Sequence, residues 1–188
     1  GVDSSVAAAL LKASGYDVAG MTMRLFPQCG SATGANPIED AQRVAAHLGI
    51  PHHVAEFTQL FQHQVLDYFV DEYTRGRTPN PCIRCNRRIK FGALFDKARE
   101  LGGEALATGH YVRVIDHNGR RAVCRAKYRA KDQSYMLSGL SQEQLARVLF
   151  PLGNQTKDDT RAMARSLGLD IAEKSDSQDV CFLGGGDY

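Results

Sequence analysis

The chain has 188 residues, of which 43% are hydrophobic and 23% charged, and its formal net charge is +2. This length and composition are typical of one folded domain and exclude intrinsically disordered, collagen-like and mucin-like proteins. No apolar run approaches the ~18 residues of a membrane span, so we expect no membrane partner.

Helix and strand patterns alternate along the first 110 residues. Apolar spacing predicts helices over 4–14, 37–48, 58–75 and 86–101, and short apolar runs predict strands over 18–26, 52–57 and 104–108. Loops are predicted over 27–36 and 76–85. This alternation predicts an α/β fold, a Rossmann-like parallel sheet flanked by helices, with ligands at the carboxyl ends of its strands.

The pattern changes after residue 110. Segments 111–116 and 121–126 flank Asn118-Gly119, a pair typical of β-hairpin turns. Beyond Lys131 we predict mostly helix, over 141–149 and 157–167. The expected organisation is one domain, with an α/β core over 1–110 and an extension over 111–188 that holds the hairpin and helices. The chain begins without Met and ends in a glycine-rich turn, so we expect a piece of a longer protein.

Five cysteines, an odd number, argue against a disulfide scaffold. No secretory signal is visible, so we expect a reducing, cytoplasmic compartment, where closely spaced thiols indicate metal or redox chemistry. Cys29 and Cys124 stand in no motif, and we interpret them as small buried residues. The remaining three are Cys82, Cys85 and Cys181.

The most informative segment is RGRTPNPCIRCNRRIK at 75–90, with six basic residues and no acidic one. Three interpretations of its Cys82-x-x-Cys85 pair remain: half of a zinc site, a thioredoxin-like redox pair, or a catalytic thiol beside an anionic polymer, aided by Cys181. A second basic run follows later in the chain, and the two runs together favour contact with a phosphate backbone. For the second run taken by itself, the alternative interpretation is a solvated face of a hairpin. That second run comprises Arg120, Arg121, Arg125, Lys127, Arg129 and Lys131.

The first five residues, Gly1-Val2-Asp3-Ser4-Ser5, open the first predicted helix. One interpretation is a helix cap formed by the Asp or a Ser. The other is an anion site, because glycine permits close approach, hydroxyls donate to phosphate and a helix N-terminus favours negative charge. No Gly-Lys-Ser/Thr follows, so this is not a Walker P-loop.

Together these segments resemble known enzymes. GVDSS looks like the end of the Ser-Gly-Gly-x-Asp-Ser-Ser loop of ATP pyrophosphatases. GRTPNPCxxCN at 76–86, followed by IKF at 89–91, resembles the tRNA-specific 2-thiouridylases. So do ATGHY at 107–111, KDQSY at 131–135, FPLG at 150–153, and DSQ at 176–178 with Cys181-Phe182. The matches run in order along nearly the whole chain.

The resemblance implies ATP-dependent 2-thiolation of the wobble uridine in the anticodon loop of a tRNA. ATP, with Mg2+, would adenylate the base, and a persulfide sulfur donor or relay protein would supply sulfur. By resemblance, Cys181 carries the persulfide and Cys85 is the partner nucleophile. ATP-contacting positions match Gly1, Val2, Asp3, Ser4, Ser5, Met23 and Gly109.

The resemblance also implies RNA contacts. Asn80, Pro81 and Cys82 match the stretch that meets the target base, which must leave its stack to be reached. The tRNA-contact positions match His110, Lys131, Asp132 and Gln133. Plainer interpretations remain for three residues: a core methionine at 23, a strand-end glycine at 109 and a loop histidine at 110.

The sequence departs from the family at several points. Some members carry Asp where this chain has Cys82. The third thiol raises the alternative of a [4Fe–4S] cluster on Cys82, Cys85 and Cys181, with sulfur carried on iron. The Ser-Gly-Gly start and the family's mostly β C-terminal portion have no counterpart in these 188 residues. Two other functions remain as alternatives: an ATP pyrophosphatase that amidates a small molecule, and a zinc-stabilised RNA-binding module without catalysis.

Overall fold

The computed structural model describes residues 1–26, 36–174 and 180–182 and has the predicted α/β architecture. Its first half contains α1 (Val2–Ala13), β1 (Gly20–Arg24), α2 (Pro37–Leu48) and β2 (His52–Glu56). Two long helices follow. Helix α3 runs through Thr58–Phe61, Gln62–Leu66 and Asp67–Thr74, and α4 runs through Pro81–Cys85, Asn86–Ala93 and Leu94–Glu100. Most of the predicted 27–36 loop, the 176–178 motif and Cys29 lie outside the described residues.

The second half is built from shorter elements. Strand β3 (Leu106–Ala107) precedes the hairpin of β4 (Val112–His117) and β5 (Arg120–Arg125). Two short 3-10 turns follow, Arg129–Lys131 and Ser134–Leu137. Then come α5 (Gln142–Ala146), β6 (Val148–Leu149) and α6 (Lys157–Ser166).

Parallel strand pairs support the predicted fold. Strand β1 runs parallel to β2, with Gly20 opposite His52, and β3 runs parallel to β6. The helix predicted over 141–149 is therefore wrong at its end, because Val148 and Leu149 are strand residues that pair with Leu106 and Ala107. A two-residue strand has no periodicity that a sequence could reveal.

The predicted hairpin is confirmed. Strands β4 and β5 pair antiparallel from Val112 opposite Arg125 to His117 opposite Arg120. The turn residues Asn118 and Gly119 both have positive φ angles, 52° and 72°. A two-residue turn of this kind requires positive φ at both positions, which explains the Asn-Gly pair.

Three apolar clusters form the core. One joins α1 to α6 through the fully buried Val6, Leu152 and Ala164. A second packs α4 against β3, β4 and β6, and a third lies between α3 and α4. No helix in the described part of the chain has the length and apolar character that crossing a membrane requires.

Both long helices widen locally to hydrogen bonds between residues five apart. The widened segments are Gln62–Leu66 in α3 and Asn86–Ala93 in α4, and such widening occurs frequently at functional sites. The widened turn of α3 packs against the first turn of α4. Arg84 of that turn donates from Nε to the Gln64 carbonyl. The widened segment of α3 therefore meets the turn of α4 that carries Cys85.

Gly153 provides a test of how the second half is packed. A Cβ at this position would lie 2.2 Å from the Val112 carbonyl oxygen, and backbone cannot move aside as a flexible side chain can. We expect Gly153→Ala to lower the free energy of unfolding by about 3 kcal/mol, measured by urea denaturation. Gly119→Ala is the control, since Gly119 faces open space and its positive φ should cost about 1 kcal/mol. A Gly153→Ala variant as stable as the control would contradict this packing.

Candidate active site

Cys82 and Cys85 lie on the first turn of α4. Asn80 caps this helix, because its side-chain oxygen accepts a hydrogen bond from the Ile83 amide at 3.1 Å, and Pro81 occupies the first helical position. An Asn cap followed by Pro is a strong helix start. The predicted loop over 76–85 is therefore wrong from residue 81 onward. Helical spacing of three residues places both thiols on one side of α4.

The Cys85 thiol is buried in the apolar cluster between α3 and α4. Burial raises the pKa of Cys85 to about 11; Lys90 acts in the opposite direction, and Cys181 and Cys82 add to the increase. The buried thiol is therefore protonated at neutral pH. Phe182, the residue after Cys181, packs against the same apolar cluster, which brings Cys181 to the side of the fold that holds Cys82 and Cys85.

Cys181 differs from Cys85 in being exposed. The next residue, Phe182, packs edge-on against two rings of α3, with centroid distances of 5.9 Å to Phe61 and 5.1 Å to Phe69. This contact fastens residues 180–182 to the helix that covers Cys85. Two thiols far apart in sequence are thereby brought together, one accessible and one protected.

The described residues give no geometric evidence for a metal centre. Among residues 1–26, 36–174 and 180–182, no three His, Cys, Asp or Glu side chains are arranged to hold a metal ion. Cys82, Cys85 and Cys181 are neighbours without forming such a ligand set. The described residues therefore favour neither the zinc interpretation nor the [4Fe–4S] alternative.

Five of the seven residues predicted to contact ATP, Gly1–Ser5, form the start of α1. Gly1 is the N-cap, and no described side chain caps the helix. The hydroxyls of Ser4 and Ser5 both donate to the Gly1 carbonyl at 3.0 Å. The capping interpretation is therefore wrong, and the first-turn amides remain available to an anion.

Asp3 joins α1 to two distant parts of the chain. Its Oδ1 accepts hydrogen bonds from the Tyr111 hydroxyl at 2.9 Å and from the Lys157 ammonium at 2.7 Å. The Tyr111 hydroxyl also lies 2.9 Å from Thr160 Oγ1 on α6. The Lys157 side chain is only 12% exposed, so this ion pair is largely shielded from water. Lys157 adds a cation beside the helix end where phosphate is expected.

Gly109 allows the loop after β3 to lie directly on α1. A Cβ at Gly109 would lie 2.6 Å from the carbonyl carbon of Asp3 and 2.7 Å from the Ser4 nitrogen. This packing alone requires glycine, so contact of Gly109 with ATP stays a prediction. Met23, at the end of β1, is partly buried against two apolar clusters, and its contact with ATP also stays a prediction.

His110 is a core residue. It is 9% exposed, and its ring centroid lies 6.0 Å from that of Phe91 and 6.3 Å from that of Phe150. Its Nδ1 is 2.7 Å from Thr108 Oγ1. Burial lowers the pKa of His110 to about 3, with Lys90 adding to the decrease, so the ring is neutral at neutral pH. His110 thus lies in the loop between β3 and β4, as the plainer interpretation has it, but its ring is buried. Its contact with tRNA stays a prediction.

Asp132 and Gln133 fasten the segment that follows the hairpin. The side-chain Oε1 of Gln133 accepts a hydrogen bond from the Tyr111 backbone amide at 3.0 Å. The backbone amide of Gln133 donates to the Tyr111 carbonyl, also at 3.0 Å. Asp132 accepts from the Ala126 amide and from the Ser134 hydroxyl, both at 2.7 Å. Burial acts to raise the pKa of Asp132, but these hydrogen bonds hold it below its usual value. The bonds give both residues a structural role, and their contact with tRNA stays a prediction.

The first basic run is partly neutralised by α3. Arg75 contacts Asp71 at 2.9 Å, and Arg77 pairs with Glu72, its Nε lying 2.6 Å from Oε2. Arg84 lies over an aromatic ring of α3, 4.2 Å from its centroid. The acids that the 75–90 segment lacks are thus supplied by the preceding helix, which sequence composition alone did not indicate. Within this run, the exposed cations on α4 are Arg87 and Arg88.

The second basic run retains its charge. Its six cations are exposed. Apart from Lys131, none of them forms an ion pair with a carboxylate within the described residues. The hairpin and the turn after it are therefore the strongest candidate surface for a polyanion.

Comparison with known proteins identifies the family of the chain. Residues 1–185 match the family described as tRNA methyl transferase HUP domain. The chain belongs to this family. A HUP domain is Rossmann-like, which confirms the predicted fold class.

The curated relatives carry the name of the family that the sequence motifs resemble. The chain is 47% identical over 195 residues to the tRNA-specific 2-thiouridylase MnmA of Clostridium acetobutylicum, covering 100% of this chain and 55% of that protein. Identity to the proteins of the same name from Trichlorobacter lovleyi and Syntrophotalea carbinolica is 53% and 50% over 190 residues. Those matches cover 100% of this chain and 53% and 54% of the relatives. The chain spans about half the length of these relatives.

Sequence reasoning missed three residues that shape the site: Tyr111, Lys157 and Phe182. A signal existed for Lys157, because Thr156-x-x-Asp159 forms a capping box that fixes the start of α6. No pattern, however, pairs Lys157 with Asp3, 154 positions away. Tyr111 and Phe182 lie within motifs shared with the family, yet only the fold shows what they contact.

Buried neutral His110 should make the protein sensitive to acid. Its pKa lies near 3 in the folded protein against 6.5 when exposed. The stability it contributes is complete above pH ~6.5 and is lost as the pH falls towards ~3, because the unfolded chain binds the proton first. We expect His110→Gln to flatten the fall in free energy of unfolding over this range, measured by urea denaturation. His63→Gln, at an exposed histidine, is the control; equal slopes in wild type and His110→Gln would contradict the assignment.

The contact of Phe182 with α3 should control how often Cys181 meets Cys85. Oxidation by diamide joins the two thiols as a disulfide, transferring two electrons and two protons to the oxidant. We expect Phe182→Ala to slow this reaction severalfold, measured by peptide mass spectrometry. Tyr73→Ala is the matched control, since Tyr73 packs against Phe69 with a centroid distance of 4.8 Å on the same helix. Unchanged rates in Phe182→Ala would show that Phe182 does not position Cys181.

Proposed function

We propose that the protein transfers sulfur to C2 of the wobble uridine of a tRNA, using ATP to activate the base. The observation that carries this proposal is an exposed thiol, Cys181, beside a buried one, Cys85. An exposed thiol can receive sulfur from a large donor. A buried, protonated thiol resists competing oxidants until that sulfur has been presented. The relatives, which are named tRNA-specific 2-thiouridylase, support the same reaction.

ATP with its Mg2+ is the proposed activating substrate. Uridine O2 attacks the α-phosphorus, an O–P bond forms and pyrophosphate leaves, so that O2 departs later as part of AMP. The uncapped first-turn amides of α1 and the Lys157 ammonium are the groups that would bind the pyrophosphate. Gly1–Ser5, Met23 and Gly109 are the proposed ATP contacts.

A persulfide on Cys181 is the proposed sulfur carrier. Its outer sulfur attacks C2, a C–S bond forms and AMP leaves. Cys85 Sγ then attacks Cys181 Sγ and its proton passes to N3 of the base, the bond between the two persulfide sulfurs breaks and the thiolated base is released. The resulting Cys85–Cys181 disulfide is returned to two thiols by an external thiol reductant. In the alternative order, Cys85 attacks first and releases hydrosulfide, which then attacks C2.

The base and its RNA would approach between the thiols and the hairpin. Asn80, Pro81 and the half-buried Cys82, at the start of α4, are the proposed contacts of the extruded uridine. The exposed basic run of the hairpin would bind the backbone, with His110 and residues 131–133 as further proposed tRNA contacts. A persulfide donor or relay protein would reach Cys181, in the reducing cytoplasm that keeps both thiols reduced.

Other functions fit the residues less well. The family description names methyl transfer, which gives no reason for two neighbouring thiols of different exposure. Amidation of a small molecule needs neither thiols nor a basic hairpin. A zinc-stabilised RNA-binding module needs a ligand set, and the described residues form none. Mass spectrometry of the modified nucleoside distinguishes replacement of oxygen by sulfur from addition of a methyl group.

Serine variants test the two thiols directly. We expect Cys85→Ser and Cys181→Ser each to abolish 2-thiouridine formation, because serine cannot carry or resolve a persulfide, while tRNA affinity changes less than twofold. Thiolation is measured by mass spectrometry of nucleosides and affinity by fluorescence anisotropy. Cys124→Ser on β5 is the matched control and should remain active.

Two results would change the proposal. Full thiolation by Cys85→Ser or Cys181→Ser would exclude the persulfide route. Iron and acid-labile sulfide in stoichiometric amounts, after anaerobic purification, would instead favour the [4Fe–4S] alternative on Cys82, Cys85 and Cys181.

A further inference from the structure

A pocket of about 350 Å³ lies between the end of β5 and the Ser134–Leu137 turn. Its lining is distinct from the residues proposed to contact ATP and from the thiols, and it shares only Asp132 with the residues already proposed to contact tRNA. The lining residues are Arg125, Arg129, Asp132, Ser134 and Tyr135.

Two arginines line the pocket, and the charge of Arg125 acts on the Asp132 carboxylate in the same lining. Arg125 and Arg129 are exposed, and neither forms an ion pair within the described residues. The one carboxylate in the lining, Asp132, already accepts hydrogen bonds from the Ala126 amide and the Ser134 hydroxyl. Planar guanidinium groups bind phosphate oxygens in pairs, so this pocket is suited to a phosphate group.

One wall of the pocket is an aromatic ring. Tyr135 is 54% exposed, which is unusual for so large a side chain in a pocket. An exposed ring next to a phosphate site is the arrangement by which proteins hold single-stranded nucleic acid: the backbone lies on cations and a base stacks on the ring.

The pocket is formed in advance rather than by closure of loops. The Arg113 Nε donates to the Arg125 carbonyl at 2.9 Å, which fixes one wall. The paired hydrogen bonds between Gln133 and Tyr111 fix the segment that supplies the other. Binding would therefore cost little ordering of the backbone.

The pocket is also close to the thiols. The first turn of α4, which carries Cys85, packs against the Ser134–Leu137 turn. Asn86, the residue after Cys85, donates from Nδ2 to the Met136 carbonyl at 3.4 Å, and Met136 follows Tyr135. A nucleotide in the pocket would thus be a near neighbour of a base presented to the thiols.

We propose that this pocket binds one unpaired nucleotide of the RNA beside the target uridine, with its phosphate between Arg125 and Arg129 and its base stacked on Tyr135. The inference rests on the proposed function, because it assigns a second contact for the same RNA. It gives a role to two arginines, one at the end of β5 and one in the turn after it, that form no ion pair within the described residues.

The test measures binding of an anticodon stem-loop RNA to the protein in its natural full-length chain, by fluorescence anisotropy. We expect Tyr135→Ala to weaken binding roughly 5- to 150-fold and Tyr135→Phe to leave it within about twofold, because stacking needs the ring. Arg125→Ala and Arg129→Ala should each reduce the slope of log affinity against log salt by about one. Tyr16→Ala and Arg99→Ala are matched controls: Tyr16 is also 54% exposed, and Arg99 is an exposed arginine on α4.

Abasic RNAs identify the stacked base. When the base is removed at one loop position next to the target uridine, wild type and Tyr135→Ala should bind the RNA with the same affinity. When it is removed at any other position, the difference in affinity should persist. The inference is overturned if Tyr135→Ala binds as wild type does, if the difference persists at every position, or if the arginine variants change only the KM for ATP. Failure of the wild-type protein to bind the stem-loop would instead contradict the proposed function itself.

Discussion

The packing of α3 against α4 is the interaction on which the site depends. Phe61 and Ile89 are almost fully buried where the two helices meet, and Cys85 lies in the same cluster. That burial raises the pKa of Cys85, and the same face of α3 holds Phe182 and with it Cys181. If the helices separated, Cys85 would lose its cover, and the difference in exposure between the two thiols would be lost.

Much of the fold could be predicted from sequence because its signals are local. The Asn-Gly turn of the hairpin and the periodicity of α2 and α3 depend on neighbours in the chain. The start of α4 was missed although its Asn80-Pro81 signal is equally local, because the prolines in 76–85 suggested a loop. Strand β6 could not be predicted, since Val148 and Leu149 become a strand only by pairing with Leu106 and Ala107.

The candidate site was predictable as a set of residue types and motifs, and much less so as a set of contacts. Family motifs named the thiols and the 131–133 segment. They did not show that Asp132 and Gln133 hold the backbone together, that Gly109 lies on Asp3, or that His110 is buried among aromatic rings. Burial and pairing over long sequence distances decide these roles, and they follow from the whole fold. The two basic runs illustrate this: Asp71 and Glu72 neutralise part of the first, whereas the cations of the second, Lys131 aside, form no ion pair within the described residues.

The widened turn that follows Cys85 has a geometric consequence for the whole of α4. A helix that accommodates one extra residue changes the angular phase between its two ends by about 100°, since each residue of a regular helix turns by that amount. The thiols at the start of α4 and the core residues Leu94 and Phe95 beyond the widened turn are therefore set at directions that a regular helix of this sequence would not give them. The widened segment thus lets one helix pack on two differently oriented surfaces, with Cys85 against α3 and the later turns against the strands.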